Sequence, residues 1–369
     1  MLRARRPSAL SVLVLCLAVA APLAGCSTAG RRRHPAPAPA EPPVGPATSP
    51  GPASPGPASP WISPIGRDHP LVGKTFDTAT GRPVSQADVV RALASADVAI
   101  LGEQHDNADH HRLQAALLRA LVEAGRRPAV AFEQIDLDRQ DAVERARSTA
   151  AGKTPAEAAT AIADAVGWDR SGWPSFDLYR PLFEIALERG LPIRAANLSR
   201  ARMHELFTAG ASGATAEARG LPLVTSAQRA SMEADIEESH CGEASRAMVE
   251  MMVEAQRRRD AAMAGAVEGA LDASAGAAGG RGSAVLVSGF GHARRDYGVP
   301  LYLAHDRPGL RVVSVAFLEV SPEAKSPADY AKYLHAKALP FDFVTFTPRA
   351  DDEDPCEKFR AGLQKLKAP

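Results

Sequence analysis

Three short stretches of the 369-residue chain carry residue types able to hold a metal ion or an iron porphyrin: Gly102-Glu103-Gln104-His105-Asp106-Asn107, Phe132-Glu133-Gln134 and Gly289-Phe290-Gly291-His292. A neutral imidazole ligates zinc or haem iron, and a carboxylate beside it orients the ring or activates water. Two of the stretches share the pattern Gly-x-x-His directly after an apolar run. Glycine lets the backbone turn sharply off a strand, which throws the histidine three positions on back over the strand end. A single Gly-x-x-His arises often by chance. Two in matching contexts, with Glu103 and Glu133 nearby, are more specific and predict that His105 and His292 serve one ligand. The residues alone leave open a structural role, in which both histidines cap helices or hydrogen-bond within the core.

Those stretches need a scaffold that brings strand ends together, and the apolar pattern supplies one. Short continuous runs occur at Val98–Leu101, Ala129–Phe132, Ile193–Ala196, Ala284–Val287 and Val312–Phe317, and Phe341–Phe346 reads as a late edge strand. Helical periodicity lies between them: through Leu113, Ala116, Leu117 and Leu121, over Phe176–Glu188 with Gly190 closing it, over 225–238 and 241–270, and briefly around Leu301. Strands without polar alternation, separated by helices, predict an α/β fold: a mostly parallel sheet with helices on both faces and a helical insertion over 200–275. In such sheets ligands gather at the carboxyl ends of the strands, where all three polar stretches fall.

The amino terminus predicts export. Arg3, Arg5 and Arg6 precede an apolar run from Ala9 to Leu23, and Leu23-Ala24-Gly25-Cys26 forms a lipobox. Residues 1–25 are then a lipoprotein signal peptide, and Cys26 carries the acyl chains, palmitate among them, that hold the protein on a membrane. Residues 26–60, rich in Pro, Ala and Gly, read as a disordered tether, and 61–369 as one domain. Basic and acidic residues number 43 each, so a nucleic-acid partner is not expected. Cys16 leaves with the signal, so Cys241 and Cys356 remain as a pair that an oxidising compartment would bridge; the alternative is a ligand role for Cys241 beside His240. There is no Gly-x-Ser-x-Gly elbow, Walker loop, His-Glu-x-x-His or dinucleotide fingerprint.

The segment Leu101-Gly-Glu-Gln-His-Asp-Asn, followed by His110-His111 and Gln114, resembles the opening motif of the ChaN-like haem-binding lipoproteins. The likeness continues in Phe132-Glu133-Gln134, Tyr179-Arg180-Pro181-Leu182, Leu191–Asn197, Ser239-His240-Cys241-Gly242, Gln256–Asp260 and Gly289–Pro300, and so covers roughly 95 to 305. Erythromycin esterases and the TIKI and TraB proteins share the paired Gly-x-x-His signature. The resemblance implies an α/β fold, an outer-membrane lipoprotein in the cell envelope, and haem binding linked to iron uptake. A homodimer that sandwiches haem is implied too, with a haem receptor or transporter as partner. The TIKI branch implies instead a metal-dependent hydrolase, protease- or esterase-like, with a divalent metal ion at the two Gly-x-x-His motifs.

By position, His105, His292, Glu103 and Glu133 form the central set, with His240 in a matching segment. The family's haem sites imply a tyrosine ligand, for which Tyr179 and Tyr297 are candidates, Tyr297 slightly preferred. Arg294 and Arg295 would pair with propionates. Met248, Met251 and Met252 lie at helical spacing; a soft wall for a porphyrin is one reading and core packing the better one. Only 5% of residues are aromatic, which is few for a haem cleft.

Overall fold

The strands read as uninterrupted apolar runs because both faces of the sheet are covered. The computed structural model describes residues 61–206, 208, 221–278, 282–354, 356–357 and 359–360; the signal peptide, Cys26 and the tether lie outside them. Strands β1 (Thr75–Asp77), β2 (Arg82–Val84), β3 (Val98–Glu103), β4 (Ala129–Asp136), β5 (Ile193–Asn197), β6 (Ala284–Gly289), β7 (Val312–Glu319) and β8 (Phe343–Thr347) form one sheet. Its order is β2-β1-β8-β7-β3-β6-β4-β5. The pairings from β8 to β5 are parallel, and the β1–β2 hairpin adds antiparallel to β8. Strand β8 is therefore interior rather than an edge. The hairpin that covers it, two strands of three residues each, is too short to leave an apolar run in sequence.

The helices are α1 (Gln86–Ser95), α2 (Ala108–Glu123), α3 (Gln140–Ser148), α4 (Pro155–Val166), α5 (Phe176–Glu188), α6 (Ser226–Ser239), α7 (Arg246–Ala278) and α8 (Val299–Asp306). Side chains alternate across the sheet. Ala99, Leu101, Val130 and Phe132 pack with α1–α5, whereas Val98, Ile100, Ala129 and Ala131 pack with α7 and α8. Helices thus cover both faces. Helix α5 ends where Gly190 takes a left-handed conformation (φ 62°) and its N–H returns to Leu187 O at 3.1 Å, a turn favouring glycine. Within 200–275 the chain forms α6 and most of α7, and α7 runs eight residues beyond the predicted helical end.

Strand β6 inserts between β3 and β4 although it follows both in the chain. This crossover puts the carboxyl ends of β3, β6 and β4 side by side, with Glu103 in register with Gly289. The arrangement is the one in which parallel sheets open a crevice for ligands. The loop after β3 leads straight into α2, where Asn107 Oδ1 caps the helix by accepting from Asp109 N (2.9 Å) and His110 N (3.3 Å). Asn107 Nδ2 also donates to Glu319 Oε1 at 2.7 Å and Pro348 O at 2.9 Å, which ties this loop to the ends of β7 and β8.

Candidate functional site

At the end of β3, Glu103 is fully buried and gathers three donors on one oxygen. His105 Nδ1 donates to Oε1 at 2.7 Å, Tyr179 Oη at 3.2 Å and Gln134 Nε2 at 3.3 Å. The second oxygen, Oε2, has no hydrogen-bond partner among the described residues and lies 4.0 Å from His111 Nε2. Tyr179 reaches this carboxylate from α5, and burial together with the negative charge of Glu103 holds its hydroxyl well above the usual phenol range. His111, one turn into α2, donates from Nε2 to His105 O at 2.9 Å and so fixes the loop backbone. Burial draws the proton affinity of His105 down, but the adjacent Glu103 outweighs it and the net pKa is raised. His105 is 5% exposed. Its Nδ1 is committed to Glu103, while Nε2 has no hydrogen-bond partner among the described residues.

A second buried cluster lies at the ends of β4 and β6. Glu133 Oε2 accepts from Gly289 N at 2.7 Å, and Oε1 accepts from Arg259 Nη2 and, at 3.2 Å, His292 Nε2. Arg259 also donates from Nε to Asn197 Oδ1 at 3.1 Å, so the end of β5 joins the network. His292 Nδ1 donates to Asp260 Oδ1 at 2.6 Å. Burial disfavours a charge on His292, yet Glu133 and Asp260 on opposite sides of the ring raise its pKa to about 9. The same cations hold Glu133 well below the usual carboxylate range against its own desolvation. Both His292 nitrogens are thereby engaged by carboxylates, which leaves no lone pair for a ligand.

The two clusters meet at Gly289. A methyl group there would stand 3.0 Å from His105 Cε1, 3.1 Å from His105 Nε2 and 3.6 Å from Glu133 Oε2. At the first motif, a Cβ on Gly102 would fall 2.6 Å from Ala293 Cβ and 2.8 Å from Phe290 Cα. Neither Gly102 nor Gly289 has a positive φ. These glycines act through the side chain they lack, letting the β6–α8 turn lie across β3, rather than through unusual backbone angles.

The remaining candidates lie in other surroundings. Tyr297 donates its hydroxyl to Asp235 and packs with Met232, Ile236, Val249, Met252 and Val253, with Met248 against the same cluster. Met251 is half-buried. Arg294 is 1% exposed. It pairs with Asp235 and Asp296 at 2.8 Å each, donates to Leu334 O at 2.7 Å, and stacks 4.1 Å from the Tyr297 ring. Its charge holds α6 to the β6–α8 turn and is not offered to a propionate. Arg295 is half-exposed and paired with Asp342. His240 closes α6, with Nδ1 donating to Ile236 O at 2.8 Å and its ring 5.5 Å from that of Phe359. Next to it, Cys241 and Cys356 form a disulfide (Cα–Cα 5.5 Å), which leaves Cys241 no thiolate for a ligand role.

Sequence reasoning about strand ends passed over Arg259 and Asp260, which reach the crevice from α7. Their signal was the Gln256–Asp260 segment of the resemblance, which carried no assigned role. Trp173 was passed over as well; its ring stands edge-on to that of His105 at 4.8 Å. Among the described residues, no group of three or more His, Cys, Asp or Glu is arranged to hold a metal ion.

Comparison with known proteins agrees with this architecture. The chain is similar to the ChaN of Campylobacter jejuni, whose solved structure concerns cofacial heme binding, with 22% identity and a TM-score of 0.56 over 73% of this chain and 95% of that one. The type III effector HopBA1 (11% identity, TM-score 0.41, 70% of this chain and 91% of that one) and the erythromycin esterase EreC in its open conformation (13%, 0.38, 76% and 99%) are more distant. No functionally curated protein shows significant similarity. Residues 89–303, more than half of the chain, match the model of the family described as haem-binding uptake, Tiki superfamily, ChaN, and the chain belongs to that family.

Proposed function

We propose that this protein binds haem at the crevice formed by the ends of β3, β6 and β4, with His105 as the residue that holds the iron. The observation that carries the reading is the division of labour on the His105 ring: Nδ1 donates to a buried carboxylate, and Nε2 has no hydrogen-bond partner among the described residues. A carboxylate behind an imidazole fixes the tautomer and strengthens the opposite nitrogen as a ligand. His105 therefore fits an iron porphyrin. Tyr179 and Tyr297 do not, since each is buried and donates its hydroxyl to a carboxylate. Family membership and the cofacial heme binding of the Campylobacter jejuni protein support the same ligand. Bound haem would supply an iron centre able to accept the Nε2 lone pair of His105. The chain's own residues orient the imidazole through Glu103 and keep the floor of the site rigid through Glu133, Arg259 and His292.

The proposal extends to the cell envelope. Cys26 of the lipobox would carry the lipid, the outer membrane would be its location, and the tether would let the domain hold or pass haem during iron uptake. A haem-bridged homodimer and a haem receptor or transporter are the partners this role requires. No helix among the described residues is long and apolar enough to cross a membrane.

The test is an absorption titration of the purified protein with hemin. Wild type is expected to shift the Soret band and saturate, and His105→Ala to lose about 10-fold or more in affinity with an unchanged circular dichroism spectrum. A wild-type protein that never saturates, or a His105→Ala variant that binds as tightly, would overturn the assignment.

A further inference from the structure

The approach to His105 carries a feature that neither motif explains. Trp173 sits in the loop between α4 and α5, half-buried, with its ring against His105. This loop is built, not slack. Trp168 Nε1 donates to Pro174 O at 2.8 Å, Ser171 Oγ to Trp168 O at 2.6 Å, and Trp173 N to Ser171 Oγ at 3.1 Å. Gly172 next to it is left-handed (φ 85°), a conformation that favours glycine, and its bare face is covered by Arg200: a Cβ there would lie 3.2 Å from Arg200 Nη2. Arg200 follows β5, and its backbone N–H donates to the carboxylate of Asp136 at the end of β4. Its side chain is exposed, and its charge also acts on the Asp136 carboxylate. An exposed cation thus lies against Gly172, the residue before a partly exposed indole, and the indole stands edge-on to the His105 ring.

We propose that Trp173 and Arg200 complete the ligand site, Trp173 presenting an aromatic face and Arg200 a guanidinium to a flat, apolar-faced ligand with carboxylates on its rim. The inference rests on the haem reading and deepens it, because it assigns the porphyrin ring and a propionate to residues other than the iron ligand. Aromatic contact rewards a flat ring whatever metal it holds, and the guanidinium rewards a rim carboxylate by charge-assisted hydrogen bonds. This division predicts which part of the ligand each residue detects. It also relieves the scarcity of aromatic residues: three of the nineteen are tryptophan, and one of those three stands at the site.

The experiment titrates hemin, metal-free protoporphyrin IX and protoporphyrin IX dimethyl ester into wild type, Trp173→Leu, Arg200→Gln and His105→Ala, followed by absorbance and tryptophan quenching. Arg200→Gln is expected to weaken hemin and metal-free protoporphyrin by about 10-fold and to leave the dimethyl ester unaffected. Trp173→Leu should weaken all three by about 5- to 10-fold. His105→Ala should weaken hemin alone. Thermal unfolding checks that each variant folds; Arg200→Gln, at an exposed site, keeps the test open if Trp173→Leu does not. Wild type that binds hemin together with Trp173→Leu and Arg200→Gln variants of unchanged affinity overturns this inference while the haem reading stands. Wild type that binds no porphyrin overturns both.

Discussion

Gly289 and His105 are so close that one added methyl group on the glycine would lie 3.1 Å from His105 Nε2. The glycine ends β6 and the histidine follows β3, so the adjacency comes from the insertion of β6 beside β3. It keeps clear the His105 nitrogen that has no hydrogen-bond partner among the described residues.

Gly289→Ala is accordingly expected to act more on binding than on folding. The backbone at 289 is compatible with alanine, and the methyl meets a side chain and not backbone. Overpacking of this kind costs about 1–3 kcal/mol of stability. The displaced His105 ring should lower hemin affinity by about 10-fold or more. Hemin titration beside urea unfolding separates the two effects; unchanged affinity would show that ligands do not approach from the Gly289 side.

The fold class was legible because every central strand is buried on both faces, so Val98–Leu101 or Ala284–Val287 reads as a pure apolar run. The β1–β2 hairpin was not, because Arg82-Pro-Val84 buries almost nothing. Its absence from the reading is what made β8 look like an edge. At the site, strand-end placement located Glu103, His105 and Glu133, but chemistry depends on which ring nitrogens are occupied. His292 has the same motif spacing as His105. Only the positions of Asp260, thirty-two residues earlier on α7, and of Glu133 show that both its nitrogens are taken. Arg294 reads in sequence as a propionate partner and is instead buried and paired, because α6 brings Asp235 to it from fifty-nine residues away.

The disulfide staples the turn after α6 to the carboxyl-terminal segment across a sequence separation of 115. Arg360 and Glu243 pair beside it at 3.2 Å. Removing the bond with Cys241→Ser/Cys356→Ser is expected to reduce stability by about 2–5 kcal/mol, read as a lower denaturation midpoint at an unchanged slope. Thiol counting on denatured, unreduced protein should find neither Cys241 nor Cys356 reactive; two reactive thiols from this pair would refute the bond.

Anchoring is tested at Cys26, whose thiol is the acyl acceptor in the proposed lipobox. Cys26→Ser should move the protein from a membrane fraction that resists carbonate washing into the soluble fraction, because no other lipidation signal replaces it. Labelled palmitate should enter wild type and not the variant. A variant still membrane-bound after washing would sink the lipoprotein reading and leave the haem site unaffected.

The last prediction separates the two motif histidines, which sequence spacing alone treats as equivalent. His292, with a pKa of about 9 in the folded protein against an ordinary 6.5, binds a proton more tightly when folded. Its contribution, on the order of 3 kcal/mol, is fully present below about pH 6.5 and is lost as the pH rises through about 9. Glu133, shifted the other way, contributes above its ordinary value and loses that contribution on acidification. Stability measured by urea unfolding should therefore fall on both sides of a plateau near pH 5–6.5. His292→Gln should flatten the alkaline decline. It should also cost about 3–5 kcal/mol, since Glu133 and Asp260 stay buried with one partner fewer. Hemin affinity of the folded His292→Gln protein should change far less than that of His105→Ala, whose loss is in binding and not in the alkaline stability limb. Equal losses of hemin affinity in the two variants, with His292→Gln as stable as wild type, would return His292 to the ligand set and break the distinction drawn from its two carboxylate partners.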